Sequence, residues 1–252
     1  MNLCLFSDLH LEIAPWEPPP GAKDADVVVL AGDIHRHTHG IDWAREHFSQ
    51  PVVYVAGNHE YYRAHLGLLD EMRRQAVDSN VHVLERDVLV VGGVRFLGCT
   101  LWSDFSLHGE GDAMIQARAD AKKGIRDFSV IGAHGGALLE PEDIARIHRT
   151  SVGWLRDKLA EPFAGKTVVV THFGPHRGCI PERFMGSAWS PYFVSDLAPL
   201  MQAGGVDVWM HGHTHWSTDF SAGGACRVIS NQRGYPGEAE TTGFRADLVV
   251  RV

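Results

Sequence analysis

Five short polar blocks carry residues suited to metal chemistry: Asp8-Leu9-His10, Gly32-Asp33, Gly57-Asn58-His59-Glu60, Thr171-His172 and Gly212-His213-Thr214-His215. Each alone is weak, because an Asp-x-His pair arises by chance and a single histidine after a strand is more often structural than catalytic. Together they offer carboxylate and amide oxygens and imidazole nitrogens without a thiolate. That donor set suits Mn, Fe, Zn or similar ions in expanded coordination, whereas a structural zinc draws on cysteine. The four cysteines, Cys4, Cys99, Cys179 and Cys226, lie far apart with no Cys-x-x-Cys pair, and read as free thiols in a reducing compartment. Residues two apart in an extended segment point to the same side. Asp8 and His10 are therefore expected to converge, as are His213 and His215 if their turn is locally extended.

Most of the blocks follow a short apolar run that has to position them. Leu3 to Phe6, Val27 to Leu30, Val52 to Val55, Val168 to Val170 and Val206 to Met210 read as buried strands delivering polar residues from their carboxyl ends. Between them the pattern predicts helices from Ile41 to Phe48, Tyr61 to Val77, Pro141 to Leu159 and Phe193 to Ala203. Strand–helix alternation implies a layered α/β fold. Val81 to Leu84, Asp87 to Val91 and Val94 to Gly98 read as short strands of a second sheet, the last two joined by a Gly92-Gly93 hairpin turn. Trp102 to Gly136 breaks the strand pattern and is expected to be an insertion over the site. Phe173 to Tyr192, with Pro175, Pro181 and Pro191, is a second lid or pocket candidate. The Pro18-Pro19-Pro20 run has site residues on both sides, so it reads as a loop. One domain over all 252 residues is expected.

In their order the blocks resemble the calcineurin-like metallophosphoesterase superfamily. Its pattern of D-x-H, G-D, G-N-H-[DE], a lone His and G-H-x-H is matched block for block between Asp8 and His215. The resemblance implies a four-layer αββα architecture, two packed mixed β-sheets flanked by helices, with the metal site at the strand ends. It implies two metal ions, Mn, Fe or Zn: Asp8, His10 and His215 on one, Asn58, His172 and His213 on the other, and Asp33 bridging. His59 would stand beside the leaving-group oxygen as general acid or charge stabiliser, and the role of Glu60 is left open. The implied reaction is hydrolysis of a small phosphomonoester or phosphodiester, by in-line attack of a hydroxide shared between the ions.

Charge and composition narrow the field. A formal net charge of -8 repels polyphosphates, which disfavours nucleic acid as a partner and a nuclease as the alternative enzyme. A metal-bound interaction scaffold without turnover is the alternative outside enzymes. There is no P-loop around Gly132 to Gly136 and no Gly-x-Ser-x-Gly elbow. No apolar run approaches the roughly 20 residues needed to cross a bilayer, and Leu3 to Phe6 is too short for a secretory signal, so a cytoplasmic location is expected. Arg36, Arg177, Arg183 and Arg233 could each meet phosphate, but each reads first as a surface residue. Trp102, Trp189, Tyr192 and Trp216 read as packing aromatics, His35, His37 and His39 as exposed loop histidines near the pocket, and His176 and His211 as supporting residues. Specificity is expected in the loops.

Overall fold

The computed structural model describes residues 1–252, the side chain of His134 excepted. Two sheets pack face to face. The first has strand order β11-β1-β2-β3-β4, with β1 Asn2–Phe6, β2 Val27–Ala31, β3 Val52–Val55, β4 Val81–Val83 and β11 Val249–Arg251. The second runs β5-β6-β7-β8-β10-β9, with β5 Asp87–Val91, β6 Val94–Cys99, β7 Lys166–Thr171, β8 Val208–His211, β9 Asp219–Ser221 and β10 Arg227–Ser230. Strands β1 to β4 are parallel to one another, as are β6, β7, β8 and β10, while the edges β11, β5 and β9 run antiparallel.

The apolar runs form strands because both of their faces are buried, as parallel sheets require. Leu3, Leu5, Val27, Val29, Val53 and Val55 point inward against Phe96, Val168, Val170, Val208 and Met210 of the other sheet. Their neighbours Cys4, Phe6, Val28, Leu30, Val52 and Tyr54 belong to a second apolar cluster that includes buried helix residues such as Ile41 and Met72. The helices are α1 His39–His47, α2 Leu68–Ala76, α3 Asp112–Gly124, α4 Asp127–Val130, α5 Pro141–Ala160, α6 Ser190–Phe193, α7 Ala198–Gln202 and α8 Ala239–Thr242. Helices α1 and α2 pack on β4, and α5 packs on β6. Helix α5 starts where the sequence says it should, at Pro141 behind a capping box formed by Glu140 and Asp143.

Three expectations need correction. Val81–Val83 joins the first sheet, parallel to β3, because α2 returns the chain as a crossover to the sheet it left. The helix expected from Tyr61 begins only at Leu68: Arg63 is left-handed, and the backbone of Arg63, Ala64 and Leu66 bonds to Val130 and Gly132 of the insertion. The helix expected over Phe193 to Ala203 is broken, because Ser195 and Leu197 donate to the carbonyls of Gly174 and Pro175 across the loop. The Gly92-Gly93 turn is as expected, both residues having positive φ.

Candidate metal centre

All seven expected ligands stand just beyond the carboxyl ends of parallel strands, where neighbouring loops converge. Asp8 and His10 follow β1, Asp33 follows β2, Asn58 follows β3, His172 follows β7, and His213 and His215 follow β8. The pairs do not converge by extended alternation, as the spacing suggested. Asp8 (φ 53), His10 (φ 46), Asp33 (φ 55), His213 (φ 73) and His215 (φ 47) are all left-handed. Such residues cost about 1–3 kcal/mol each and persist only where their surroundings hold them. Here Asp8 N donates to Gly32 O at 3.0 Å, His10 N to Asp33 O at 3.0 Å, and Gly234 N to Asp8 O at 3.0 Å. Arg233 Nη1 clamps the same loop through Leu9 O at 2.8 Å.

The donor atoms of the expected ligands gather into two sets. One ligand atom each from Asp8, His10 and His215 lies within 4.8 Å of the others, as does one each from Asp33, His172 and His213. The first set closes with His10 Nε2 and His215 Nε2 at 3.1 Å and His215 Nε2 at 3.6 Å from Asp8 Oδ1. In the second, His172 Nε2 lies 3.1 Å from Asn58 Oδ1 and 3.4 Å from Asp33 Oδ1. Two of the block glycines are there for room: a Cβ on Gly57 would come within 2.1 Å of Asp33 Oδ1, and one on Gly212 within 2.6 Å of Asp8 Oδ2.

Partners outside the donor sets fix each ligand's orientation, a usual feature of metal-binding histidines. His172 Nδ1 donates to Ala31 O at 2.8 Å and His215 Nδ1 to Glu238 Oε2 at 2.7 Å, leaving both Nε2 atoms facing inward. Asn58 Nδ2 donates to Asp127 Oδ1 at 3.1 Å, which turns the amide oxygen toward His172. Glu60, whose role the motif left open, accepts from Asp33 N, Ile34 N, Gly57 N and Tyr54 Oη at 2.7–3.0 Å. It ties the loop after β2 to the loop after β3. Burial and the nearby Asp33 carboxylate push its pKa up to about 7, against the pull of these donors.

The donor set fits metal ions. His213 Nε2 is buried without a hydrogen-bond partner. Burial and the neighbouring His172 hold the His213 imidazole well below its usual pKa, in the neutral form that a metal requires. Burial opposes charge on His172, yet Asp33 raises its pKa to about 9, so the buried carboxylate draws positive charge to this point.

His59, which the motif does not count among the ligands, adjoins both triads: one of its ring nitrogens lies within 4.8 Å of a ligand atom each from His10 and Asp33. Its Nδ1 lies 3.0 Å from Glu12 Oε1, its Nε2 lies 3.2 Å from Tyr235 Oη, and its ring stacks on Tyr62 with centroids 4.0 Å apart. Burial works against its charged form, but Asp33 and Glu12 outweigh this and raise its pKa. The ligands open onto a cavity of about 290 Å³ lined by Asp33, Asn58, His59, His213 and His215, with Gly124 to Asp127 of the insertion, Arg183, Tyr235 and Glu238.

Glu12, Asp127, Tyr235, Glu238 and Arg126 are the residues that sequence reasoning missed. Of the arginines weighed, Arg183 reaches the cavity, Arg177 pairs with Asp196, and Arg233 serves the backbone. Trp102 is buried between Tyr61 and Phe173, and Tyr192 donates to Asp127. His35 and His37 are half-buried and His39 exposed, with His37 Nε2 2.9 Å from Tyr62 O. His211 contacts Thr218, and His176 caps its own turn.

Two stacked mixed sheets with such a cluster at their parallel strand ends define a metal-dependent phosphoric ester hydrolase. Residues 1–217 match the calcineurin-like phosphoesterase family, and the chain belongs to that family. It is 22% identical over 267 aligned residues to an uncharacterised protein, L509, of Acanthamoeba polyphaga mimivirus, covering 92% of this chain and 90% of that one. In fold it is similar to a phosphopantetheinyl hydrolase from Mycobacterium tuberculosis (TM-score 0.71, 20% identity, 100% of this chain and 95% of that chain). It also resembles a dimetal phosphatase from Danio rerio (TM-score 0.53, 15% identity, covering 92% and 87%). Tyr235 and Glu238 lie beyond the matched residues. No helix of the described residues is long and apolar enough to cross a membrane.

Proposed function

We propose that the chain hydrolyses a small phosphomonoester or phosphodiester at a two-metal centre, with Asp8, His10 and His215 on one ion, Asn58, His172 and His213 on the other, and Asp33 bridging. The observation that carries this is the placement of Asp33. Its Oδ1 lies 3.4 Å from His172 Nε2 and its Oδ2 3.9 Å from His10 Nε2, so the one carboxylate faces both ligand sets. Bound there, the ions would supply a hydroxide nucleophile at neutral pH and charge to offset the phosphate oxygens.

The chain's own residues do the rest. Glu12 accepts from His59 Nδ1 and favours the imidazolium, which holds a proton for the leaving oxygen as the bond from phosphorus to the alcohol breaks. Tyr235 fixes the other ring nitrogen on the cavity side. Arg126 and Arg183 line the same cavity and supply cationic charge for the phosphate. The stretch Gly124 to Asp127 of the 102–136 insertion forms one wall, which supports its role as a lid. The four cysteines are free and buried, in keeping with a cytoplasmic protein.

The test is turnover of nitrophenyl phosphate and bis-nitrophenyl phosphate by purified protein loaded with Mn²⁺, Fe²⁺ or Zn²⁺, with His59→Ala as control. Cleavage is expected, with a loss in the variant of at least about a hundredfold on an alkyl phosphate and a smaller one on the nitrophenyl esters, whose phenolate leaves without a proton. Inactivity of the wild type on both esters with every divalent metal would overturn the reading.

A further inference from the structure

A second cavity, of about 270 Å³, lies beside the metal centre in the loop between β7 and β8, walled by Ile180, Pro181, Phe184, Trp189, Phe193 and Val194. It adjoins the first. Phe184, Phe193 and Thr214 line both. Thr214 sits between His213 and His215, and the Phe193 ring stacks on His213 with centroids 4.8 Å apart.

Its surface is almost wholly hydrocarbon, and its few hydroxyls already have partners. Ser190 Oγ donates to Phe184 O at 2.8 Å, Ser187 Oγ accepts from Trp189 N at 3.3 Å, and Thr214 Oγ1 accepts from Gln232 Nε2 at 3.0 Å. A sugar or a base edge placed there would lose its water without gaining hydrogen bonds, at a cost that hydrocarbon does not incur.

The insertion lines none of this cavity but supports its Trp189 wall. Gly124, the last residue of α3, lies under the Trp189 indole, where a Cβ would come within 2.8 Å of Cζ2. Trp189 is nevertheless 49% exposed and Phe184 47%, a paired apolar surface of the kind that marks ligand grooves. Arg126 and Arg183 stand only at the metal side. The two adjoining cavities thus differ in character, cationic at the metal side and apolar beside it.

Resting on the phosphoesterase reading above, we infer that this cavity takes the hydrocarbon part, alkyl or aryl, of the ester's alcohol, so that the substrate is amphiphilic. The test is a series of alkyl phosphates from methyl to octyl, whose leaving groups differ little, hydrolysed by the Mn²⁺-loaded protein, with glycerol phosphate as the polar comparison. Each methylene is expected to raise kcat/KM by about two- to fourfold until the cavity is full. In Trp189→Ala and in Ile180→Asp this slope should fall toward zero, whatever the absolute rates.

A slope of zero in the wild type, an unchanged slope in both variants, or faster turnover of glycerol phosphate than of butyl phosphate would overturn the inference while the phosphoesterase reading stood. If no ester is hydrolysed with any metal, that reading fails instead. Calorimetric binding of alkylphosphonates to the protein then decides the cavity alone: affinity that rises with chain length supports it, and a flat series overturns it.

Discussion

At His59 the two ring nitrogens have different partners, and the difference sets a direction for pH. Glu12, 4% exposed in its side chain, accepts from Nδ1. Burial pushes the Glu12 pKa up, but His10 and His59 pull it down to about 2, so it is ionised at any working pH. The pKa of His59 is raised. A step that needs His59 protonated is therefore fully available below that pKa and lost as pH rises through it. Glu12→Gln removes part of the support, so kcat should fall by about tenfold or more, with the alkaline limb of its pH profile moved down. A limb that stays in place would show that Glu12 only packs. His211 gives a second sign. Burial, with the neighbouring His172, lowers its pKa to about 4. The unfolded chain then binds more protons between about 6.5 and 4, so stability present above that range is lost as pH falls through it, by up to about 3 kcal/mol. In chelator, His211→Gln should lose less of its urea midpoint over this window than the wild type does, and parallel losses would refute a neutral His211. The seven residues proposed as ligands could be picked out by residue type and by the order of their blocks, although not the left-handed backbone that brings them together. Asp127 could not, because it meets Asn58 from 69 positions away through a fold that no local pattern encodes.

Strands were the legible elements, since a run such as Val27–Ala31 is buried on both faces and needs no alternation to be recognised. Asp219–Ser221 and Val249–Arg251 were not, being three-residue edge strands with exposed residues at both ends. The helix expected from Tyr61 failed because its first residues spend their backbone bonds on the insertion. Between elements, Glu60 holds the ends of β2 and β3 together through one hydroxyl and three backbone N–H donors. Glu60→Ala leaves those buried donors unpaired, at about 1–3 kcal/mol each, so a loss of at least 3 kcal/mol in urea unfolding is expected. Asp33 should lose its fixed position with it, and calorimetry should show weaker Mn²⁺ binding. A variant within about 1 kcal/mol of wild type would mean that water or a rearranged loop replaces the carboxylate.

For the whole molecule, the decisive feature is that each proposed ligand triad draws on both sheets. Asp8 and His10 extend from β1 and Asn58 from β3 of the first sheet, whereas His172 extends from β7 and His213 and His215 from β8 of the second. Without metals, the sheets are held by the apolar layer of Leu5, Val29, Val53, Phe96, Val168 and Met210 and by hydrogen bonds at the site end, such as His172 Nδ1 to Ala31 O and Gly234 N to Asp8 O. Ions shared across that layer would act as cross-links that exist only in the folded state. Binding to the folded state alone adds about 2.7 kcal/mol per site at a free metal concentration of one hundred times Kd. Mn²⁺ or Zn²⁺ should therefore raise Tm, and chelator should reverse the rise. Asp33→Asn, which weakens the one carboxylate facing both sets, should lose most of the gain while Asp42→Asn, on an outer helix, keeps it. Equal melting of the wild type with metal and with chelator would mean that the donors do not bind ions across the sheets.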